Sequence, residues 1–321
     1  MDRLFDERAA AEKAMRAGAL VCLPVNPIEY HGPHLSLRND HLVSVGLMRD
    51  LHATLQAEHP CELLVAHDLD IGVEPAPGPG SVAVSFPEVT ERVGEACRRL
   101  AEQGARRVVL MTFHGSPLHN LALEAGVRLL RRRGIKVLSA FNLVLRELLG
   151  LEGARYAEGY AGIVDPVERA EMIRTMPQDF HGGFFETSMA LHYAKGSVLP
   201  MHVRVPPCPP FAPQRLPLAA SKVVRRLGFD TFANELALVA DGLAWHALRP
   251  FPGYTVRPHR ATAEAGAAFG KAMVSRYREV GREVLFGTAR SPRPIMRWMP
   301  LATLGGRLGP RVALGDVARF A

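Results

Sequence analysis

The sequence of 321 residues has no run of 18 consecutive apolar residues, so no segment matches an ordinary transmembrane helix. It also lacks, near its beginning, the apolar stretch that a secretory signal contains. Residues 1–18 instead mix acidic and basic side chains and predict an amphipathic helix. Hydrophobic residues make up 48% of the chain and charged residues 22%, which excludes the fibrous and intrinsically disordered classes.

Cysteine is scarce, and no two cysteines have the spacing of a metal-binding or redox pair. The four cysteines are Cys22, Cys61, Cys97 and Cys208. The first two lie in strand-like apolar runs, where cysteine behaves as a small buried hydrophobe. This usage excludes a disulfide framework and predicts a reducing, cytoplasmic compartment.

Aromatic residues are also few, with two Trp and six Tyr, although the net charge is +7. Most of the positive charge is arginine in short clusters near predicted helix ends, where a cation is favourable beside the helix dipole. A nucleic-acid site needs basic residues massed on one face and interleaved with aromatics. We therefore expect neither a nucleic-acid partner nor a membrane partner.

Hydrophobic periodicity alternates between strand and helix in the first half of the chain. It predicts strands at 19–25, 62–66, 107–111 and 136–140, and helices at 40–56, 86–103 and 118–133. This alternation predicts a three-layer α/β/α fold with a mostly parallel central sheet. Ligands bind such sheets at the carboxyl ends of the strands, so the segments after residues 25 and 111 are the first to examine for a site.

The second half of the chain is less regular. Helical patterns occur at 165–176, 186–193 and 264–280. The proline-rich stretch 205–213 predicts a surface loop. The tail, 290–321, has no period and predicts a segment that wraps a neighbour or is loosely ordered. Because no repeat or linker interrupts the chain, we predict one domain, 1–321, with a decorated C-terminal third at about 201–321.

The segment after the first predicted strand carries the first candidate metal ligands. Glu29 and His31 are two residues apart, so in extended backbone their side chains project to the same side. Asp40 follows at the predicted start of a helix, as a candidate N-cap. Two carboxylates and an imidazole suit Zn²⁺, Mn²⁺ or Fe²⁺. Taken alone, the same residues are more often a surface acid, a loop histidine and a helix cap.

Two later segments add histidines and a glutamate. His114 follows the third predicted strand, and Gly115 lets the backbone approach a ligand closely. His119 is predicted to be a structural histidine of the next helix. His181 precedes two glycines that permit a tight loop over a site, and Glu186 opens a helix. The alternatives are a polar turn residue at His114 and a plain helix-entry loop in which Glu186 only complements the helix dipole.

Together these segments resemble the creatininase family. The first segment reads IEYHGPHLSLRND and resembles the family's motif E-x-H-G-x-H-L-P-x-x-x-D. The second reads FHGSPLHN and is similar to G-H-G-G-N, and the third reads DFHGGFFETS and is similar to D-x-H-A-G-x-x-E-T-S. Two further family elements resemble PGPGSVAVSF and GYTVRPHRATAEAG. The matches run in the family's order from about residue 20 to residue 266.

The resemblance implies a compact α/β/α metallohydrolase, usually hexameric, that hydrolyses a C–N bond of a small-molecule amide, lactam or formamide. It implies two divalent ions (Zn, Mn or Fe) that share a bridging hydroxide. By matching positions, the ligands would be Glu29 and His114 for one ion and His31 and Glu186 for the other, with Asp40 bridging both.

The resemblance also concerns the residues around the substrate. His181 matches the histidine that assists proton transfer. Ser116 stands where creatininase has a glutamate, and the creatininase tryptophan lid has no counterpart near the third motif. We therefore expect that creatinine is not the substrate. Ser116 and Phe180 are the candidate substrate-binding residues, while Phe184 and Phe185 are either pocket lining or buried core.

Two other functions stay open at this point. The changed second motif is compatible with a family member that binds a metal or ligand without turnover. A serine hydrolase would use Ser116 beside His114, but no G-x-S-x-G motif surrounds that serine. Sensitivity to a chelator separates the serine hydrolase from the metallohydrolase.

Overall fold

The computed structural model describes residues 2–149 and 153–320. Its strands are β1 (Leu20–Asn26), β2 (Leu63–Val65), β3 (Leu69–Asp70), β4 (Arg107–Met111) and β5 (Lys136–Ser139). Its α-helices are α1 (Asp2–Ala17), α2 (Asn39–Gln56), α3 (Phe86–Glu102), α4 (Pro117–Arg132), α5 (Phe141–Leu149), α6 (Pro166–Arg174), α7 (Phe184–Tyr193), α8 (Arg215–Arg226), α9 (Asp230–His246), α10 (Ala263–Leu285) and α11 (Met299–Ala302). Within the described residues, no helix has the length and apolarity needed to cross a bilayer.

The strands form a parallel sheet in the order β2-β1-β4-β5, and the two-residue β3 pairs with the end of β1. Leu20 pairs with both Leu63 and Arg107, and Arg107 pairs with Lys136, so the strands begin almost level. Their carboxyl ends therefore meet at one edge. The predicted α/β fold with a parallel central sheet is confirmed, and β3 is the strand that the sequence did not predict.

The sheet is buried on both faces because successive side chains of each strand enter different cores. In β1, Leu20 and Cys22 belong to a core that they share with α2, α7 and α10. Val21 and Val25 belong to a second core, shared with α3 and α4. This is the reason that β1 reads as a continuous apolar run instead of an alternating one. Each such aliphatic side chain contributes roughly 1.5–3 kcal/mol when fully buried.

Local signals set where the helices begin. Ser85 and Ser116 cap α3 and α4 by accepting hydrogen bonds from Glu88 N (3.4 Å) and His119 N (3.3 Å). The prediction that Asp40 caps α2 is wrong, because this helix begins at Asn39 and has no side-chain cap. Asp40 lies inside the first turn, and neither of its oxygens has a hydrogen-bond partner.

The C-terminal third contains more regular structure than the sequence predicted. Helices α8 and α9 pack against each other and were not predicted, and neither was α5. The segment around Met296 and Trp298 is held to its own chain, and that the tail also wraps a neighbour stays a prediction. The buried Glu235 of α9 accepts hydrogen bonds from Met296 N (2.8 Å) and Trp298 Nε1 (2.7 Å), and these bonds hold the tail to its own chain.

Candidate metal centre

The candidate ligands meet at the carboxyl edge of the sheet. Glu29 and His31 follow β1, and His114 follows β4. Asp40 projects from the first turn of α2 and Glu186 from the first turn of α7. Each of the five exposes no more than 5% of its surface. The predicted site residues are thus brought together in a buried position from four separate parts of the chain.

Two histidine nitrogens lie among the three carboxylates. His31 Nε2 is 3.1 Å from Asp40 Oδ1, 3.6 Å from Glu186 Oε2 and 3.8 Å from Glu29 Oε2. His114 Nδ1 is 2.8 Å from Glu29 Oε2 and 3.7 Å from Asp40 Oδ2. Asp40 therefore offers one oxygen to each histidine and stands between the two halves of the centre.

Three groups of side chains place their potential ligand atoms within 4.8 Å of one another. The groups are Glu29–Asp40–His114, His31–Asp40–Glu186 and Glu29–His31–His181. The first two groups share Asp40. They are the same two sets that the family resemblance implied for the two ions.

Backbone carbonyls orient both histidines. His31 Nδ1 lies 3.0 Å from Glu29 O, and His114 Nε2 lies 2.9 Å from Val73 O. Because a carbonyl oxygen only accepts, each of these nitrogens carries the proton and donates it. The opposite nitrogen of each ring then faces the carboxylates. This is the arrangement that fixes the tautomer of a metal-binding histidine.

The donor set of the centre fits divalent cations. Glu29 Oε2, His31 Nε2 and both oxygens of Asp40 are buried without a hydrogen-bond partner. Native structures rarely leave buried polar atoms unpaired, so these four atoms need an explanation. A cation that accepts their lone pairs would satisfy all of them, and Zn²⁺ takes imidazole and carboxylate ligands of this kind.

The charges within the centre shift the pKa values in opposite directions. Burial lowers the pKa of His31, but Asp40 outweighs burial and raises this pKa to about 10. Burial also lowers the pKa of His114, but the charge of Glu29 outweighs burial and raises this pKa to about 9. Burial raises the pKa of Glu29, yet the charge and hydrogen bond of His114 hold it well below the usual range. Without ions, the histidines therefore carry positive charge that offsets the carboxylates.

Burial also acts on the two remaining carboxyl groups. It raises the pKa of Asp40, and it raises the pKa of Glu186 to about 8 against the opposing charge of His31. Glu186 Oε2 accepts a hydrogen bond from Gly182 N (2.5 Å), which fixes the carboxyl group against its own loop. Gly182 adopts a positive φ of 55°, and a side chain there would press against the carbonyl of His31, so the glycine allows the two segments to pack closely.

His181 lies at the edge of the centre. Its ring stacks on that of His31, with 4.4 Å between centroids, and its Nδ1 is 3.7 Å from Glu29 Oε1. Its Nε2 donates to Tyr30 O (2.8 Å), so Nδ1 is the free basic nitrogen. Burial and the charge of His31 lower the pKa of His181 to about 3, so the ring is neutral.

The loop that carries His181 is fixed at both ends. Asp179 Oδ2 accepts a hydrogen bond from Phe185 N (2.8 Å) at the start of α7. The carbonyl of His181 accepts hydrogen bonds from the backbone amide (2.8 Å) and the hydroxyl (3.0 Å) of Thr255. Asp179 therefore supports the start of α7.

The two candidate substrate-binding residues lie at different places around the centre. Ser116 Oγ donates to Glu74 Oε2 (3.0 Å) besides capping α4. Phe180 is half-buried, and its ring packs edge-on against Trp245 with 5.4 Å between centroids.

Two phenylalanines and one histidine of the predicted segments are buried in the protein interior. Phe184 and Phe185 are buried in the core against Phe269, which is the second of the two predicted alternatives. His119 is fully buried and contacts Thr112 Oγ1 (3.3 Å) and Val25 O (3.2 Å). Its prediction as a structural histidine is confirmed.

Two contributors to the surroundings of the centre were not predicted from the sequence. Trp245 of α9 lies against His181, with 5.3 Å between ring centroids, so a tryptophan adjoins the site from a distant part of the chain. The segment Val73–Ala76 supplies Val73 O to His114 and donates from Ala76 N to Glu29 Oε1 (2.5 Å). Backbone groups leave no residue-type signal, so no motif could have found this segment.

A family model described as creatininase, creatinine amidohydrolase, matches residues 7–280. The chain belongs to the creatininase family. Among curated proteins, the creatinine amidohydrolase of Pseudomonas putida is 28% identical to this creatininase-family chain over 195 residues. The match covers 56% of the chain and 66% of that protein, just under two thirds of its length.

Solved creatininase structures have the same fold. A structure named "Creatininase Mn" superposes with a TM-score of 0.55 at 23% identity, covering 86% of this chain and 95% of that one. A mutant creatininase described as Zn-Zn type gives a TM-score of 0.54 at 21% identity, covering 88% and 95% of the two chains. These similarities show that the α/β architecture of this creatininase-family chain is that of creatininase.

Proposed function

We propose that this protein is a dinuclear-metal amidohydrolase that cleaves a C–N bond in a small amide, lactam or formamide. One observation carries the proposal: two buried three-residue groups share Asp40, and four of their donor atoms have no hydrogen-bond partner. Three carboxyl groups are costly to bury together unless positive charge offsets them, and bound cations would supply that charge in place of the protons on His31 and His114. Membership of the creatininase family supports the same conclusion.

The proposed ligand assignment follows the two groups. Glu29 and His114 would hold one ion, His31 and Glu186 the other, and Asp40 would give one oxygen to each. Zn, Mn and Fe are the candidate metals, because imidazole and carboxylate ligands suit all three. When bound, such ions supply Lewis acidity that activates water and polarises a carbonyl group.

His181 is the proposed proton carrier. Its neutral ring directs Nδ1 toward the centre while Nε2 is held by Tyr30 O. Nδ1 can therefore accept a proton in the centre and later return it to the leaving nitrogen of the substrate. In this role the free nitrogen must remain uncoordinated, so we assign the third group, Glu29–His31–His181, to proton transfer and not to a third ion.

The contacts of Ser116 favour the metallohydrolase over the serine hydrolase. A serine nucleophile needs a base within hydrogen-bond reach. Ser116 Oγ donates to Glu74, whereas His114 Nε2 donates to Val73 O and His114 Nδ1 faces Glu29. Neither nitrogen of His114 is thus available to Ser116.

The proposal is tested by metal content and activity together. Protein purified without added metal is analysed by elemental analysis and by anomalous scattering at the Zn, Mn and Fe edges. A panel of amides, lactams and formamides is then assayed for amine release, with and without a chelator. Two ions and chelator-sensitive hydrolysis are expected. Two bound ions without hydrolysis of any compound in the panel would favour a family member that binds a metal or ligand without turnover. Hydrolysis that survives complete metal removal would refute the proposal.

By the same resemblance we propose a homo-oligomer, specifically a hexamer. Light scattering coupled to size-exclusion chromatography measures it directly, since a hexamer has six times the mass of the chain. A mass equal to that of one chain would contradict this part of the proposal.

A further inference from the structure

Glu74 lies between the two backbone groups that hold one half of the centre. Val73 O accepts from His114 Nε2, and Ala76 N donates to Glu29 Oε1. Glu74 itself has a φ of 56°, in the left-handed region that non-glycine residues rarely adopt. Such a conformation persists where the surroundings impose it, and it occurs often at ligand-binding sites.

The carboxylate of Glu74 is held in place from across the site. Ser116 Oγ, two residues after His114, donates to Glu74 Oε2 at 3.0 Å. Glu74 is exposed to solvent, whereas Glu29 and His114 are buried. The carboxylate therefore stands at the solvent side of the Glu29–His114 half of the centre, on an anchored side chain.

Among residues 8–147 and 154–320, no lysine or arginine forms an ion pair with Glu74. His114 is the positively charged group that lowers its pKa. Partial desolvation by the surrounding protein raises the pKa of Glu74, and the Ser116 hydrogen bond and His114 offset this rise only in part. An unpaired carboxylate in a partly desolvated place gains strongly from a cationic partner.

We infer that Glu74, anchored by Ser116, is a specificity residue that binds a positively charged nitrogen group, an ammonium or amidinium, of the substrate. The inference rests on the proposed function and narrows its substrate class to small amides or lactams that carry a cation near the scissile bond. Glu74 belongs to none of the three metal-binding groups, so its role is recognition of the substrate and not metal binding.

The test uses probe pairs of equal size that differ in charge. Glycinamide is compared with propionamide, and 3-aminopyrrolidin-2-one with 3-methylpyrrolidin-2-one, by calorimetric binding to the metal-loaded protein. The variant is Glu74→Gln, which keeps an oxygen to accept the Ser116 hydrogen bond and removes only the charge. Glu91→Gln is the matched control, because Glu91 is an exposed glutamate on α3.

We expect the wild type to bind the charged member of each pair more tightly. Glu74→Gln should lower the affinity for the charged probes about 10- to 100-fold, which is the usual contribution of a charge-assisted hydrogen bond. Its affinity for the neutral probes should equal that of the wild type. The control variant should resemble the wild type. Ser116→Ala removes the hydrogen bond that holds the Glu74 carboxylate. It should lower the affinity for the charged probes by a smaller factor and leave the affinity for the neutral probes unchanged.

The outcomes separate this inference from the proposed function. Equal binding of both members by the wild type, no measurable binding of the charged probes, or equal losses for both members in Glu74→Gln would overturn the role of Glu74. Charge discrimination that depends on Glu74, without hydrolysis of any probe or panel amide, would instead retain that role and count against the amidohydrolase.

Discussion

The side chain of Asp40 lies near two histidines from other parts of the chain and does not cap its own helix. An aspartate at the start of a helix ordinarily accepts hydrogen bonds from the first helical amides, and the sequence predicts that role here. In the structure both oxygens instead face His31 and His114. The sequence could not decide between the two roles, because the choice depends on a histidine that arrives from β4 only after folding.

The first prediction concerns this shared carboxylate. Asp40→Ala should lower the metal content from two ions per chain to one or none, because both proposed sites lose a ligand and a negative charge. Elemental analysis of the purified variant measures this loss. Glu91→Ala, a change at an exposed glutamate on α3, is the control and should keep the wild-type content. Full metal content in Asp40→Ala would show that Asp40 is not a ligand.

A second prediction follows from the protons of the metal-free centre. The pKa values of about 10 for His31 and about 9 for His114 mean that both rings are protonated at pH 7. An ion can bind only the neutral rings, so binding must release protons, and the apparent affinity must increase as pH rises toward 9–10. Calorimetry at pH 7 in buffers of different ionisation enthalpy should show release of at least one proton. Binding heats that are the same in every buffer would contradict this.

A third prediction tests His181. His181→Asn should keep both ions and lower kcat by roughly 10²–10⁴-fold, the usual contribution of a positioned acid or base. Elemental analysis and the rate with the best panel substrate are compared on the same preparation. If the variant loses metal, His181 is a ligand; if it keeps both metal and rate, His181 is outside the mechanism.

The strands and helices that have a clear hydrophobic pattern could be predicted from the sequence. The continuous apolar run of β1 and the serine–proline starts of α3 and α4 are local signals, and the structure confirms them. Helix α8 differs, because its Leu216 and Val223 are seven residues apart on one helical face and yet are exposed at 85% and 55%. The apolar face of this helix is therefore not the face that the fold buries. Strand β3 has only two residues and is too short to show a period.

A fourth prediction concerns the attachment of the tail to α9. Glu235→Ala removes the acceptor of the hydrogen bonds from Met296 N and Trp298 Nε1. It should lower the free energy of unfolding by roughly 3–6 kcal/mol, since the two lost hydrogen bonds to a buried carboxylate are worth about 1.5–3 kcal/mol each. Denaturant titration measures this loss, and limited proteolysis should cut after residue 290 sooner than in the wild type.

The control for this experiment is an exposed acidic residue elsewhere. Glu91→Ala on α3 should change the free energy of unfolding by less than about 0.5 kcal/mol. Metal content should stay normal in both variants. An unchanged unfolding midpoint in Glu235→Ala would mean that the tail adds nothing to stability.

At the scale of the whole molecule, the order of strands and helices was enough to predict where the site lies. Parallel strands end at one edge, so polar segments after β1 and β4 had to approach each other. The sequence could not predict the residues that surround them. Trp245 and Glu74 reach the centre through the packing of α9 and of the segment after β3, and neither lies in a recognisable motif.

The spread of the proposed ligands along the chain has a consequence for heat denaturation. Residues 29–40, His114 and Glu186 meet only in the folded chain, so bound ions would act as a cross-link that the unfolded chain cannot keep. At a free-ion concentration 100 times Kd, each ion would add about 2.7 kcal/mol to stability. The fifth prediction is therefore that a chelator lowers Tm by several degrees and that added Zn²⁺ or Mn²⁺ restores it, with no such response in Asp40→Ala. The melting temperature thereby becomes an assay of metal loading that requires no knowledge of the substrate.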